Sequence, residues 1–481
     1  MQSHFHTIIV GAGLSGIGAA YYHQTNRSNK SFAILEGRSA LGGTWDLFRY
    51  PGVRSDSDMY TLGFSFNPWN SPNPVAEGHA ILQYLKETAN RFEITPKIQF
   101  NSKVISAEWS DNSKQYTLKI KNPETGKSRN LSCNFLIMCS GYYNYKQGHN
   151  PVLKGENNFE GKFVHPQKWD TSIDYSNKKI VIIGSGATAV TLLPALQKRA
   201  ASITMLQRSP SFIFNLNTKD KTAKYLGKIL PRNLLNSILR MKYILMATAF
   251  YKLSRSTPNT IRKYLQRQAR KIIGKKFKKS DFDPNYQPWD QRVCIIPDGD
   301  FYKALTAANA NIVTDKIEEI TATGIQLISG KSLEADIIIK ATGLRLQFFG
   351  GMSLKINGIP TKAADLFMHR GTMLSGIPNL AVIIGYTNIT WTLKCELTLK
   401  YIMKLLNHMD SNEYTVCTPQ ASPNLKKEPL FNLNSGYISR VQDKLPHQGN
   451  QKEWKLHQNY FKDKKTFRNA SLDDESLVYL K

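Results

Sequence analysis

The chain has little cysteine, an acid deficit and no long apolar run. Its five cysteines, at 133, 139, 294, 395 and 417 of 481 residues, form no C-x-x-C. That excludes a disulfide framework and offers no zinc-site spacing, so a reducing, cytoplasmic setting is expected. No stretch reaches the ~18 uncharged apolar residues needed to cross a bilayer. The nearest, residues 238 to 253, is broken by Arg240, Lys242 and Lys252. At the N-terminus HFHTIIV runs directly into GAGLSG, which leaves no room for a cleavable leader.

Acid is scarcest in one place. Against 64 Lys and Arg the chain sets 36 Asp and Glu, 64 − 36 = +28. Residues 219 to 280 hold 18 of the cations and a single acid, Asp220, so this segment carries 18 − 1 = +17. Within it, ILPRNLLNSILRMKYILM and TIRKYLQRQARKIIGKKF repeat apolar residues at three and four, which predicts helices. A solvated helical insertion is one reading of the segment. A face for an anionic partner or the inner membrane surface is another. Nucleic acid is set aside, because no reading motif accompanies the charge. Hydrophobic content of 41% and aromatic content of 11% exclude wholesale disorder.

Two glycine turns organise the rest. The β-branched run HTIIV precedes Gly11, Gly13 and Gly16 at G-x-G-x-x-G, followed by a helix-forming stretch. The first glycine allows the tight turn, the second admits a pyrophosphate to the backbone, and the third lets helix and strand pack. The helix start offers free N–H groups to phosphate. A second strand, FAILE, ends in Glu36 at 36 − 11 = 25, where a ribose-binding acid belongs.

The pattern recurs in KKIVIIGSGATAV, with Gly184, Gly186 and Ala189. Its following strand, ITMLQRS, ends in Gln207 and Arg208. An acid there would repel a 2′-phosphate, whereas a guanidinium binds one bidentately, so NADPH is expected over NADH. The strand-like segments 132–144 and 333–343 bracket the second turn. They suggest an α/β protein with two Rossmann-like domains, the second inserted in the first. The chain would leave the first domain near 145 and return near 336, giving a first domain of 1–145 and 336–410. A second of 150–335 would carry the helical insertion at about 215–285. The polar remainder, 411–481, reads as a wrapping extension and supports no functional expectation. Motif mechanics alone therefore point to a redox enzyme handling two dinucleotides, with no metal site.

Two further motifs are more specific. Phe159, Gly161, His165, Trp169 and Asp170 give F-x-G-x-x-x-H-x-x-x-W-D, and Gly43, Trp45, Tyr50, Pro51, Gly52 and Asp56 give G-x-W-x-x-x-x-Y-P-G-x-x-x-D. With both turns in order, the chain resembles the Baeyer–Villiger class of flavoprotein monooxygenases. PWDQRVCIIPDGD and GYTNITWTLK make it similar to their EthA-like, prodrug-activating branch. It departs from close relatives in having Trp169-Asp170 where Trp-Pro is common.

The resemblance implies FAD in the first domain, lined by Ser15, Glu36, Thr44, Trp45, Asp46, Leu47, Asp56 and Val104. It implies NADPH in the second, met by Arg54, Ser55, Asp56, Ile183, Gly184, Ser185, Gly186, Ala187, Thr188, Ala189, Gln207 and Arg208. It also implies that O₂ and NADPH oxidise a ketone to an ester or lactone through a C4a-peroxyflavin, with thioethers and thioamides as further substrates. The cation holding the peroxide anion would be Arg292, oriented by Asp56. His165 and Trp169 would belong to the interdomain linker, while Tyr386, Asn388 and Trp391 would approach the flavin or substrate. Two alternatives stand beside this one. The first is an N- or S-oxygenating flavin monooxygenase, which Trp169, Asp56 and Arg292 disfavour. The second is a two-nucleotide reductase, which the missing C-x-x-C disfavours.

Overall fold

The computed structural model describes residues 2–481. Strand His4–Val10 sits between Phe32–Leu35 and Ser128–Met138, parallel to both. Its Ile8 and Ile9 are fully buried on opposite faces, which is what β-branched residues in a sandwiched parallel strand require. These strands belong to an eleven-stranded sheet, which continues through the antiparallel run Ser128–Met138, Gln115–Lys121 and Lys103–Ser110.

The second sheet has five strands, all parallel, in the order Ala310–Thr314, Ser202–Gln207, Lys179–Ile183, Ile337–Lys340 and Lys162–Val164. The strand at 337–340 therefore does not open the return to the first sheet near residue 336. It lies inside the second sheet, paired on both edges, and the next strand of the first sheet is Ser353–Ile356. An apolar strand followed by glycine reads the same in either sheet. Its partners are a long-range property that the local sequence does not carry.

Helices Arg232–Ser256 and Pro258–Ile273 form the basic insertion. The second buries Ile261, Leu265, Ala269 and Ile273, one face at a four-residue spacing. The first is docked on the first sheet's helices. Arg240 donates to the carbonyls of Tyr60 and Gly63 and pairs with Glu396 at 2.7 Å. Helix Trp391–Ser411 has Leu393, Leu397, Tyr401 and Leu405 four residues apart on one face; all but the half-buried Leu397 are buried, and Lys394 and Glu396 are buried as well. Partners make this tolerable: Lys394 meets Asp463 at 2.8 Å, and Glu396 meets Arg240.

The 411–481 segment is not merely a wrapping. Leu430, Phe431, Leu433 and Ile438 enter the core beneath the first sheet. Strand Val416–Pro419 pairs with Leu477–Leu480 and clasps the segment closed.

Candidate active site

The first turn is built for close approach. Gly11 has φ +104°, and a Cβ there would lie 2.6 Å from the Cys139 carbonyl oxygen; one on Gly16 would lie 1.8 Å from the oxygen of Gly11. Only glycine fits either position. Gly13 precedes helix Leu14–Asn26, whose start has no side-chain cap, so its first N–H groups remain available to a phosphate. Glu36 is buried at the end of its strand and accepts N–H bonds from Ala12 at 2.7 Å and Arg38 at 3.0 Å. Burial pushes its pKa up, and the two amides oppose that. Val104 is buried on strand Lys103–Ser110, farther along the same sheet.

A short helix, Thr44–Leu47, faces this turn. Gly43 comes within van der Waals range of Gly13, backbone to backbone. Thr44 Oγ1 lies 3.4 Å from the Tyr145 hydroxyl, Trp45 packs on the core, and Asp46 is buried between Arg38 and Arg49. Leu47 is half-buried at the end of this helix. Ser15 receives the Trp391 indole N–H at 2.9 Å.

The loop leaving that helix crosses to the second turn. Tyr50 packs on the second sheet's core near Thr188, and burial raises its pKa to about 12. Gly52 lies against Thr191 and Ala195, where a Cβ would be 3.0 Å from each. At the turn itself, Gly184 has φ +137°, and Ser185 donates to the Ser209 carbonyl. Ile183 ends its strand, while Ala189 is buried in the helix. Gly186 and Ala187 are exposed at the uncapped start of helix Ala187–Gln197, and a Cβ on Gly186 would meet nothing within 4 Å. This second helix start is open for an anion, and the exposed Arg208 follows the adjacent strand. Both cradles therefore fit a dinucleotide.

Asp56, on the same crossing loop, meets Arg292 at 2.7 Å. Each side chain is about a third exposed, 31% for Arg292 and 36% for Asp56. Yet Asp56, Tyr437, Tyr142 and Tyr143 surround the guanidinium, and the Asp56 charge above all raises its pKa. Burial raises all three phenols, so they stay protonated. Cys294, two residues on, is pushed up to about 12 by burial and by Asp56 and stays a thiol.

Some expected residues are placed elsewhere. Gln207 is 1% exposed and turned inward, donating to the Asp281 carbonyl and Thr314. Strand alternation sends it to the core and its neighbour Arg208 to solvent. Ser55 spends both its amide and its hydroxyl on Ala76. Arg54 pairs with Asp300, although its buried Nε has no partner and remains a donor for a bound group. Tyr386 gives its hydroxyl to Asp463 at 2.6 Å, and Asn388 donates to Gln458, so neither faces the cleft with those atoms. His165 accepts the Gln167 N–H as a turn cap, and Trp169 packs on the second sheet's core.

Others were missed in the sequence. Ser435 accepts the Arg292 amide, and Tyr437 lies against its guanidinium. Tyr142 and Tyr143 follow the strand closing the first sheet. None sits in a motif, and only their contact with Arg292 marks them.

Comparison with known proteins agrees with this arrangement. Residues 57–383 match the flavin-binding monooxygenase-like family, and residues 9–73 match an NAD(P)-binding Rossmann-like domain. The FAD-containing monooxygenase EthA of Mycolicibacterium smegmatis is 45% identical over 484 residues, covering 100% of this chain and 98% of that protein. The probable FAD-binding monooxygenase AlmA of Acinetobacter baylyi is 42% identical over 482 residues, with 100% and 97% covered. Among solved structures, an oxidized steroid monooxygenase bound to NADP superposes with a TM-score of 0.76 at 19% identity, covering 99% of this chain and 100% of that one. The fold, the two cradles and identity along the whole chain lead to one assignment: the protein belongs to the flavin-binding monooxygenase family.

Proposed function

We propose that the protein is an NADPH- and O₂-dependent Baeyer–Villiger monooxygenase, converting ketones to esters or lactones and oxidising thioethers as a further activity. The observation that supports this reading is the Arg292–Asp56 pair, set where segments from both sheets meet. The relatives and structural neighbours, named as FAD-containing and NADP-bound monooxygenases, support it too.

FAD would be held by the first turn, with Glu36 on a ribose and the start of helix Leu14–Asn26 on the pyrophosphate. NADPH would be held by the second turn and Arg208. Together they would supply the reducing power and activated oxygen that no side chain here provides. What the chain contributes is position and charge. Arg292 presents a fixed cation to negative charge developing on oxygen, in a cleft where such a charge is poorly screened. Asp56 fixes the guanidinium plane. Tyr142, Tyr143 and Tyr437 wall part of the cation with neutral phenols, which add no competing anion.

The test follows NADPH, O₂, H₂O₂ and oxygenated product together over a panel of linear, cyclic and aryl ketones and thioethers. Ester formed in proportion to NADPH consumed is expected. Stoichiometric H₂O₂ without product would favour a reductase, and oxidation confined to amines and sulfides would favour the electrophilic oxygenase.

A further inference from the structure

We propose that the outward face of the basic insertion, helices Arg232–Ser256 and Pro258–Ile273, seats the protein on an anionic lipid surface. The inward faces of these helices are fully used. Leu239, Tyr243 and Ile244 are buried beneath the first helix, and Ile261, Leu265 and Ala269 beneath the second. The outward face of the first helix is unlike a solvated surface. Leu234, Met241, Leu245 and Leu253 are 50%, 39%, 51% and 51% exposed. Spacings of seven, four and eight put them on one stripe of the helix. Eight of the fifteen exposed large apolar side chains among the described residues lie between residues 225 and 264. Scattered singly they would need no explanation, but a stripe does.

The charge beside that stripe identifies its occupant. Five of the 18 cations in residues 219–280 are spent on ion pairs: Arg240 with Glu396, Lys242 with Asp220, Arg255 with Asp290, and Arg262 and Lys279 with Asp283. The other 18 − 5 = 13 form no ion pair among the described residues. On the second helix Lys263, Arg267 and Lys271 are exposed at a four-residue spacing, a basic ridge on the helix that packs against the first.

An apolar stripe flanked by lysine and arginine suits the boundary between headgroups and acyl chains: the aliphatic side chains enter while the cations remain among the phosphates. Cations spread over helices Lys221–Leu226, Arg232–Ser256 and Pro258–Ile273 match a continuous plane of anionic headgroups better than the localised acids of a folded partner. No helix among the described residues is long and apolar enough to cross a membrane, so the contact is peripheral.

The experiment sediments the holoenzyme with vesicles of phosphatidylcholine alone, or of phosphatidylcholine with phosphatidylglycerol. Two variants accompany it, L234S/L245S and K263Q/R267Q/K271Q, and NADPH oxidation confirms that each is folded. Wild type should bind the anionic vesicles at low salt and leave them at high salt, as screening predicts. The triple variant should bind them on the order of a hundredfold more weakly, each lost cation being worth about fivefold. L234S/L245S should lose the binding that survives salt. Equal binding to both vesicles, binding to neither, or binding indifferent to both variants would overturn the proposal. So would a dimer that L234S/L245S dissociates while vesicle binding stays unchanged, since the stripe would then belong to a second copy.

Discussion

Asp56 and Arg292 meet at 2.7 Å although one lies on the loop after the first nucleotide turn and the other beyond the whole basic insertion. The pair forms only when the two sheets are assembled, so the cation is placed by the same contacts that build the cleft. Removing it should separate the two halves of the reaction. Arg292→Ala is expected to bind FAD and oxidise NADPH while ester formation falls by ~10² to 10³, with H₂O₂ released in its place. Asp56→Ala should show a milder loss, because it acts through Arg292. Stopped-flow reduction and reoxidation beside product analysis measures both, and a near-normal ester yield per NADPH in Arg292→Ala would remove this residue from the mechanism.

Arg208 stands at the end of the strand beside the open helix start. A charge-assisted bond to phosphate contributes about 1.5 to 3 kcal/mol. Arg208→Ala should raise the Michaelis constant for NADPH about ten- to a hundredfold and leave that for NADH nearly unchanged. Gln207→Ala should leave cofactor preference alone and cost stability instead, since its amide bonds inside the second domain.

The insertion is fastened by Arg240, whose guanidinium reaches Glu396 and two carbonyls of the first domain. Glu396 also accepts from the Ser65 amide and hydroxyl. Glu396→Ala strands a poorly solvated cation and should cost about 3 to 5 kcal/mol, read from urea midpoints. Glu396→Gln, which keeps the shape, should cost less.

Asp58 is fully enclosed, and burial lifts its pKa from 3.8 to about 6 despite hydrogen bonds from Thr61. The folded state thus holds this proton more tightly than the unfolded chain. Its contribution is complete below pH 4 and is lost as pH rises through about 6. At neutral pH the ionised carboxylate costs about 2 to 3 kcal/mol. Asp58→Asn should therefore gain stability on wild type as pH rises from 4 to 7, in paired denaturation curves. A constant difference across that range would refute the assignment.

What the sequence reveals and conceals follows the range of the interactions. Both glycine turns are legible because the positive φ of Gly11 and Gly184 and the packing of Gly16 on Gly11 are demands of the turn itself. Asp56 and Arg292 are legible through motifs alone, since nothing local says that an arginine between two turns will find an aspartate on another domain. The strand at 337–340 was assigned to the wrong sheet because apolar pattern specifies a strand but not its neighbours. Gln207 was misread for a smaller reason: one step along a strand reverses the side chain. Ser435 and Tyr437 left no signal, as a serine and a tyrosine outside any motif acquire meaning only from what folds against them.

The contribution of the 411–481 segment has a consequence for biosynthesis. Ser435 and Tyr437 close around Arg292, and Asp463 anchors Tyr386 and Lys394. All of them leave the ribosome after both nucleotide turns and the whole second sheet. A nascent chain can thus assemble both cradles before the cation has its last wall, and the surroundings of Arg292 are completed only with the final stretch of translation.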